Sequence, residues 1–164
     1  FLKRNKEYWI EKLHLKPHPE GGFYGESYRS GETIAKSALP GRYGGDRVFS
    51  TQIYFMLVAG NFSAFHKVNS DETWHFYDGS SVILHLLVPA EGLVDIRLGV
   101  EDGANPQYTI PMGVWFAAEV SDGGDFSLVG CSVAPGFDFD DFELANKETL
   151  YSQFPLDIVN RLCR

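Results

Sequence analysis

The stretch Gly60-Asn61-Phe62-Ser63-Ala64-Phe65-His66-Lys67-Val68-Asn69-Ser70-Asp71-Glu72-Thr73-Trp74-His75-Phe76-Tyr77-Asp78-Gly79 joins a histidine and a glutamate across a hairpin. Side chains on a strand alternate with a period of two, so Phe62, Ala64, His66 and Val68 are expected to share one face. A histidine among apolar neighbours is either a ligand or base in a pocket or a satisfied core residue. The same alternation after the turn points Trp74 and Phe76 inward and sets His75 on the face opposite Glu72, unless a bulge reverses it.

Outward from this hairpin the chain keeps one rhythm. Short β-branched and aromatic runs at 24–29, 48–58, 62–68, 73–77, 82–88, 93–98, 107–110, 114–120 and 126–134 are separated by Gly44-Gly45, Asp78-Gly79, Asp102-Gly103 and Gly123-Gly124. No helical pattern lies between them, so the expectation is all-β: an antiparallel sandwich or barrel. A short amphipathic helix is expected over 5–13, with Tyr8, Trp9 and Leu13 on one side. Helical signals return after an Asn146 N-cap and again over 156–162, to cover a face or edge. The segment 31–45, rich in glycine, serine and alanine, reads as a mobile loop able to act as a lid.

At 164 residues the chain fits one domain with a real core. Hydrophobic residues make up 44% of it, which excludes disorder. With 14 lysines and arginines against 22 aspartates and glutamates, a net charge of -8 and no basic stripe, nucleic-acid binding is disfavoured. No apolar run reaches the roughly 20 residues that cross a bilayer, so no membrane partner is expected. Cys131 and Cys163 match neither a disulfide framework nor a zinc spacing, and no secretory signal is visible. The expected compartment is the cytoplasm, the native N-terminus being out of view.

Further polar residues are placed where a cavity mouth would need them. His18 and Glu20 stand between Pro17, Pro19 and Gly21-Gly22, a rigid approach followed by a permissive turn. Tyr24, Glu26 and Tyr28 share a face of the next strand, where they meet either a ligand or solvent. Arg47 is the cation best placed for an anionic substrate, since guanidinium grips carboxylate or phosphate with two parallel bonds. Phe137, Phe139 and Phe142 alternate with aspartates and are expected to pack on the sheets or a partner chain.

The spacing from Gly60 through His66 and Glu72 to Gly79 resembles the first motif of the cupin superfamily, G-x5-H-x-H-x3-E-x6-G. The second histidine of that motif falls on Val68. Pro111-Met112-Gly113-Val114-Trp115-Phe116 is similar to the second motif, with Phe116 at its histidine. A narrower likeness rests on Pro17-His18-Pro19-Glu20-Gly21-Gly22, on Ser70-Asp71-Glu72-Thr73-Trp74-His75-Phe76-Tyr77 and on Pro135-Gly136-Phe137, which resemble the cupin-5-type family. This likeness implies an antiparallel double-stranded β-helix, the cupin jelly roll, with short terminal helices, and a homodimer.

Three readings of function stay open. The first is an isomerase- or epimerase-like enzyme on a small polar or sugar-derived substrate, with His66 as base, Glu72 as orienting or second acid–base group, Tyr24 or Tyr77 as acid, and no cofactor required. His18, Glu20, Arg47, Trp74, His75, Tyr77 and Phe116 would complete the ligand pocket. The second is a non-catalytic binding or storage cupin. The third is a metal-dependent oxidase or decarboxylase, with His66 and Glu72 as two ligands of a divalent ion that needs further donors.

Overall fold

The computed structural model describes residues 4–19 and 21–164. A first helix, α1 (Lys6–Lys12), opens with Asn5 accepting a hydrogen bond from the backbone N–H of Tyr8, 2.9 Å away, so a helix-start donor is satisfied. Among the described residues thirteen strands follow: β1 (Lys16–Pro17), β2 (Phe23–Arg29), β3 (Thr33–Ile34), β4 (Arg47–Val48), β5 (Thr51–Val58), β6 (Phe62–Val68), β7 (Asp71–Gly79), β8 (Val82–Val88), β9 (Gly92–Leu98), β10 (Gln107–Ile110), β11 (Trp115–Val120), β12 (Phe126–Ala134) and β13 (Phe142–Leu144). Two helices end the chain, α2 (Lys147–Gln153), capped by Asn146, and α3 (Asp157–Leu162).

All strand pairs are antiparallel, and they form two main sheets. The larger runs β1-β2-β5-β12-β7-β10 and the smaller β13-β6-β11-β8-β9, with β3 and β4 as a separate ribbon. The architecture is the expected jelly roll, with one correction: the sheets face each other as a sandwich and do not close into a barrel.

Between the sheets lies a core of Phe55, Leu57, Trp74, Leu84, Leu86, Ile110, Phe116 and Val129 with their neighbours. The outer face of the smaller sheet is covered by α2 and α3, which bury Phe65, Leu87, Ala117, Leu150, Val159 and Leu162 together. His85 on β8 bridges Asp95 (2.7 Å) and Glu119 (3.0 Å), and Glu119 takes both terminal nitrogens of Arg161, tying α3 to the sheet. Under α1, Trp9, Ile10 and Leu13 pack on Leu15, Met56, Phe126 and Leu128; Tyr8, expected on that face, is exposed.

Strict alternation fails at three places, and each is a bulge. On β2, Glu26 pairs Ile53 while Tyr28 pairs Gln52, so one extra residue turns Tyr28 outward and Arg29 inward. On β6, the three steps from Ser63 to His66 face the two from Ala118 to Phe116. Ser63 and His66 therefore both look inward, whereas Phe62 and Phe65 pack under the helices. On β7, Phe76 pairs Val129 and Asp78 pairs Leu128, so Tyr77 is the extra residue.

The segment 31–45 is tied down rather than poised over an opening. Tyr43 is buried with its hydroxyl 2.8 Å from Ser70 Oγ, and Arg42 Nε donates to the Asn69 carbonyl at 2.8 Å. None of its residues lines the cavity described below. Among the described residues no helix is long and apolar enough to cross a membrane.

Candidate functional site

Where the inter-sheet core stops, the space between the sheets widens into a cavity of about 470 Å³, a size typical of small-ligand sites. Phe55, Trp74 and Cys131 belong to both core and cavity wall. One wall comes from the larger sheet, with Tyr24, Thr51, Ile53, Glu72 and Val133; the other comes from Ser63, His66 and Val68 on β6 and Phe142 on β13. Phe137, Asp138 and Phe139 lie over the space, and exposed Glu26 and Arg29 stand at its rim.

His66 is buried, 5% exposed, between Phe116 (ring centroids 4.2 Å apart) and Phe142 (5.3 Å). Its Nδ1 lies 2.7 Å from the Ala64 carbonyl. A carbonyl can only accept, so Nδ1 carries the proton and Nε2 is the ring's acceptor atom. Burial drives its pKa down to about 4, holding the imidazole neutral at pH 7.

Glu72 is also buried. Trp74 Nε1 donates to its Oε1 at 3.0 Å, and the Cys131 thiol makes a second side-chain hydrogen bond. Both partners favour the carboxylate, but desolvation outweighs them and lifts the pKa to about 7. His18, in edge contact with Tyr24 (4.8 Å) and Phe55 (5.4 Å), is lowered to about 4 by burial. The cavity thus holds three titratable groups whose surroundings oppose charge.

Five of the sequence candidates, His18, Tyr24, His66, Glu72 and Trp74, line this space together. Phe116 stands behind His66 and in edge contact with Trp74 at 6.1 Å, fully buried. Glu20 lies outside the described residues. Three candidates are elsewhere. Arg47 is buried in a two-pronged ion pair with Asp141, at 2.6 and 2.7 Å, with both side chains 3% exposed. His75 bonds Ser132 Oγ at 3.1 Å, and exposed Tyr77 lies near Tyr54, both on the far side of the larger sheet.

Arg29, Ser63 and Cys131 line the cavity without having been expected there. Arg29 and Ser63 owe their inward direction to the β2 and β6 bulges, which a period-of-two reading cannot see. Cys131 is legible by alternation along 126–134, on the inward face with Val129 and Val133. The Phe137–Phe142 segment was read as packing, and it is the roof.

The sequence model of the Cupin superfamily family DUF985 matches residues 7–145. Among solved structures, a protein from Shewanella oneidensis is 39% identical, with a TM-score of 0.86 and 98% of each chain covered. A hypothetical protein from Leishmania major is 32% identical with the same TM-score, covering 98% of this chain and 99% of its own. An oxalate decarboxylase from Bacillus subtilis is similar in fold alone: 12% identity and a TM-score of 0.55 over 93% of this chain and 37% of that one. A search of curated protein sequences found no match.

Proposed function

The chain belongs to the DUF985 family of the cupin superfamily, and from that premise of a small-molecule-binding cupin we propose a metal-independent enzyme of isomerase or epimerase type, acting on a small polar substrate. The observation that carries this reading is a buried acid–base pair, His66 and Glu72, on facing walls of one cavity. A carboxyl with a pKa near 7 populates both forms at neutral pH, so it can take a proton in one step and return it in the next.

We assign the roles of the pair the other way round from the sequence expectation. His66, with its pKa held near 4, is a weak base; it serves better as a fixed acceptor that orients a substrate hydroxyl through Nε2. Glu72 becomes the proton-transferring group, aimed by Trp74 and Cys131. Tyr24, on the same wall, remains the candidate second acid.

The donor set argues against the metal of the superfamily. Val68 and Phe116 stand where two ligands would be and offer no lone pair, and among the described residues no three His, Cys, Asp or Glu side chains gather into a metal-binding group. No step is therefore routed through a metal. A non-catalytic binding cupin is the rival reading, supported by the same two hydrocarbon side chains. Homodimerisation joins the proposal through the family likeness, and light scattering on the purified chain tests it.

Proton transfer leaves an isotopic record. We expect the protein in D2O to wash deuterium into a carbon-bound position of one member of a panel of hydroxy-aldehydes, hydroxy-ketones and sugars, followed by NMR. Glu72→Gln should slow the exchange by a factor on the order of 100 or more, and His66→Gln by about tenfold, with both variants folded by circular dichroism. Undiminished exchange in Glu72→Gln sinks the reading; ligand binding with no exchange in the parent selects the rival.

A further inference from the structure

Charge in the cavity is sorted by depth. Inside, Glu72, His66 and His18 are each pressed by burial toward the uncharged form. The donors to Glu72, Trp74 and Cys131, are both neutral. Cationic charge among the described lining residues is confined to Arg29 at the rim, and it is already engaged: its Nε and Nη2 hold the Glu26 carboxylate at 2.9 to 3.2 Å, and Nη1 reaches the Phe137 carbonyl at 3.4 Å. Asp138, on the roof segment, adds a second carboxylate to the lining, within the field of the buried Arg47.

An arriving phosphate or carboxylate therefore meets two carboxylates and one occupied guanidinium, in a protein of net charge -8, and then walls whose described residues carry no cation to replace its water. An ammonium is drawn toward the rim, but inside it gives up its hydration for a cavity whose buried carboxyl, Glu72, is held toward its protonated form. Hydroxyls suit the interior. Ser63, Thr51, Tyr24 and neutral imidazoles exchange hydrogen bonds with them, while Phe55, Trp74 and Phe137 present flat apolar faces to ring carbons.

We propose that the cavity takes an uncharged, hydroxyl-bearing ring and rejects the phosphorylated and carboxylated homologues of that ring. This rests on the small-polar-substrate reading above and narrows it.

Saturation-transfer NMR and calorimetry on the unmodified protein test it with three matched sets of probes: neutral rings (myo-inositol, methyl α-D-glucopyranoside, D-galactose), acids (glucose 6-phosphate, D-glucuronate) and an amine (D-glucosamine). At least one neutral ring should bind one site per chain, with the acids weaker by about tenfold or more. Glu26→Gln combined with Asp138→Asn should narrow that gap severalfold, and Val133→Trp, which fills the cavity, should abolish binding. A saturable one-site isotherm keeps the test decisive should Val133→Trp not fold. Acids or the amine binding as tightly as neutral rings, or no neutral ring binding, overturns the proposal. Neutral-ring binding without isotopic exchange leaves it standing and sinks the catalytic reading; exchange on a phosphorylated substrate does the reverse.

Discussion

Glu72 keeps its proton in the folded protein to a pH where an exposed glutamate has long lost it, because desolvation outweighs its hydrogen bonds to Trp74 and Cys131. The consequence for stability has a definite sign. Below the unfolded pKa of 4.5 both states are protonated and the burial costs nothing. As pH rises toward 7 the unfolded chain ionises first, and above 7 the full cost, about 3 kcal/mol, is present. Glu72→Gln removes the ionisation, so it should match the parent near pH 4 and exceed it at pH 8 by up to that amount in thermal melts. An unchanged difference across this range would mean that the carboxyl is solvated. At this scale the sequence was readable where residue type speaks: His66, Glu72 and Trp74 announced themselves through spacing. It was silent on protonation, which depends on what lies on the opposite sheet, and so the base was sought at the histidine.

Most strands were legible to within a residue or two, at 62–68, 82–88, 107–110 and 126–134 above all, because each has the β-branched and aromatic run that a half-buried strand needs; the run expected at 48–58 instead breaks at Phe49-Ser50 into β4 and β5. Hidden from the sequence were the elements whose residues carry no such signal: the two-residue β1, β3 and β4, and β13, which seals His66 from the side through Phe142. Bulges are likewise invisible to periodicity, and they decide that Arg29 and not Tyr28 reaches the cavity. Arg47, expected to meet a ligand, instead anchors the roof segment through Asp141. Asp141→Ala leaves that guanidinium buried and unpaired, and should cost about 3–5 kcal/mol in urea unfolding; Arg47→Met with Asp141→Leu should recover most of it. Gly22 marks a second fixed point: its φ is +76° and a Cβ would strike the Met56 carbonyl on β5. Gly22→Ala should lower stability by more than about 1 kcal/mol by the same measurement.

Across the whole molecule, the titratable groups of the cavity pull the pH–stability curve from opposite sides, His66 and His18 from the acid flank and Glu72 from the alkaline one. His66, with its pKa lowered to about 4, contributes fully above its unfolded pKa of 6.5 and loses that contribution as pH falls toward 4. Glu72 penalises the other flank as pH rises through 7. Their windows overlap, so Glu72 offsets one histidine and the melting temperature should fall from pH 7 toward pH 4 by the share of the other; His66→Gln should level the curve over that range. A curve whose acid limb survives in His66→Gln would assign that limb to other groups. The jelly-roll class followed from strand rhythm and motif likeness, but closure did not: a run of antiparallel strands looks the same in sequence whether its ends meet or stop. The sandwich leaves an open end between its sheets, and that end is the cavity.

The extra residue between Ser63 and His66 now takes on a different meaning. It turns Ser63 and His66 to the same side, and the Ala64 carbonyl within it is the atom that tells His66 which nitrogen bears hydrogen. That instruction is written in the main chain, and replacing the Ala64 side chain would not erase it. Exchanging the peptide link after Ala64 for an ester, which weakens the carbonyl's basicity, would edit the tautomer while leaving every side chain of the site in place.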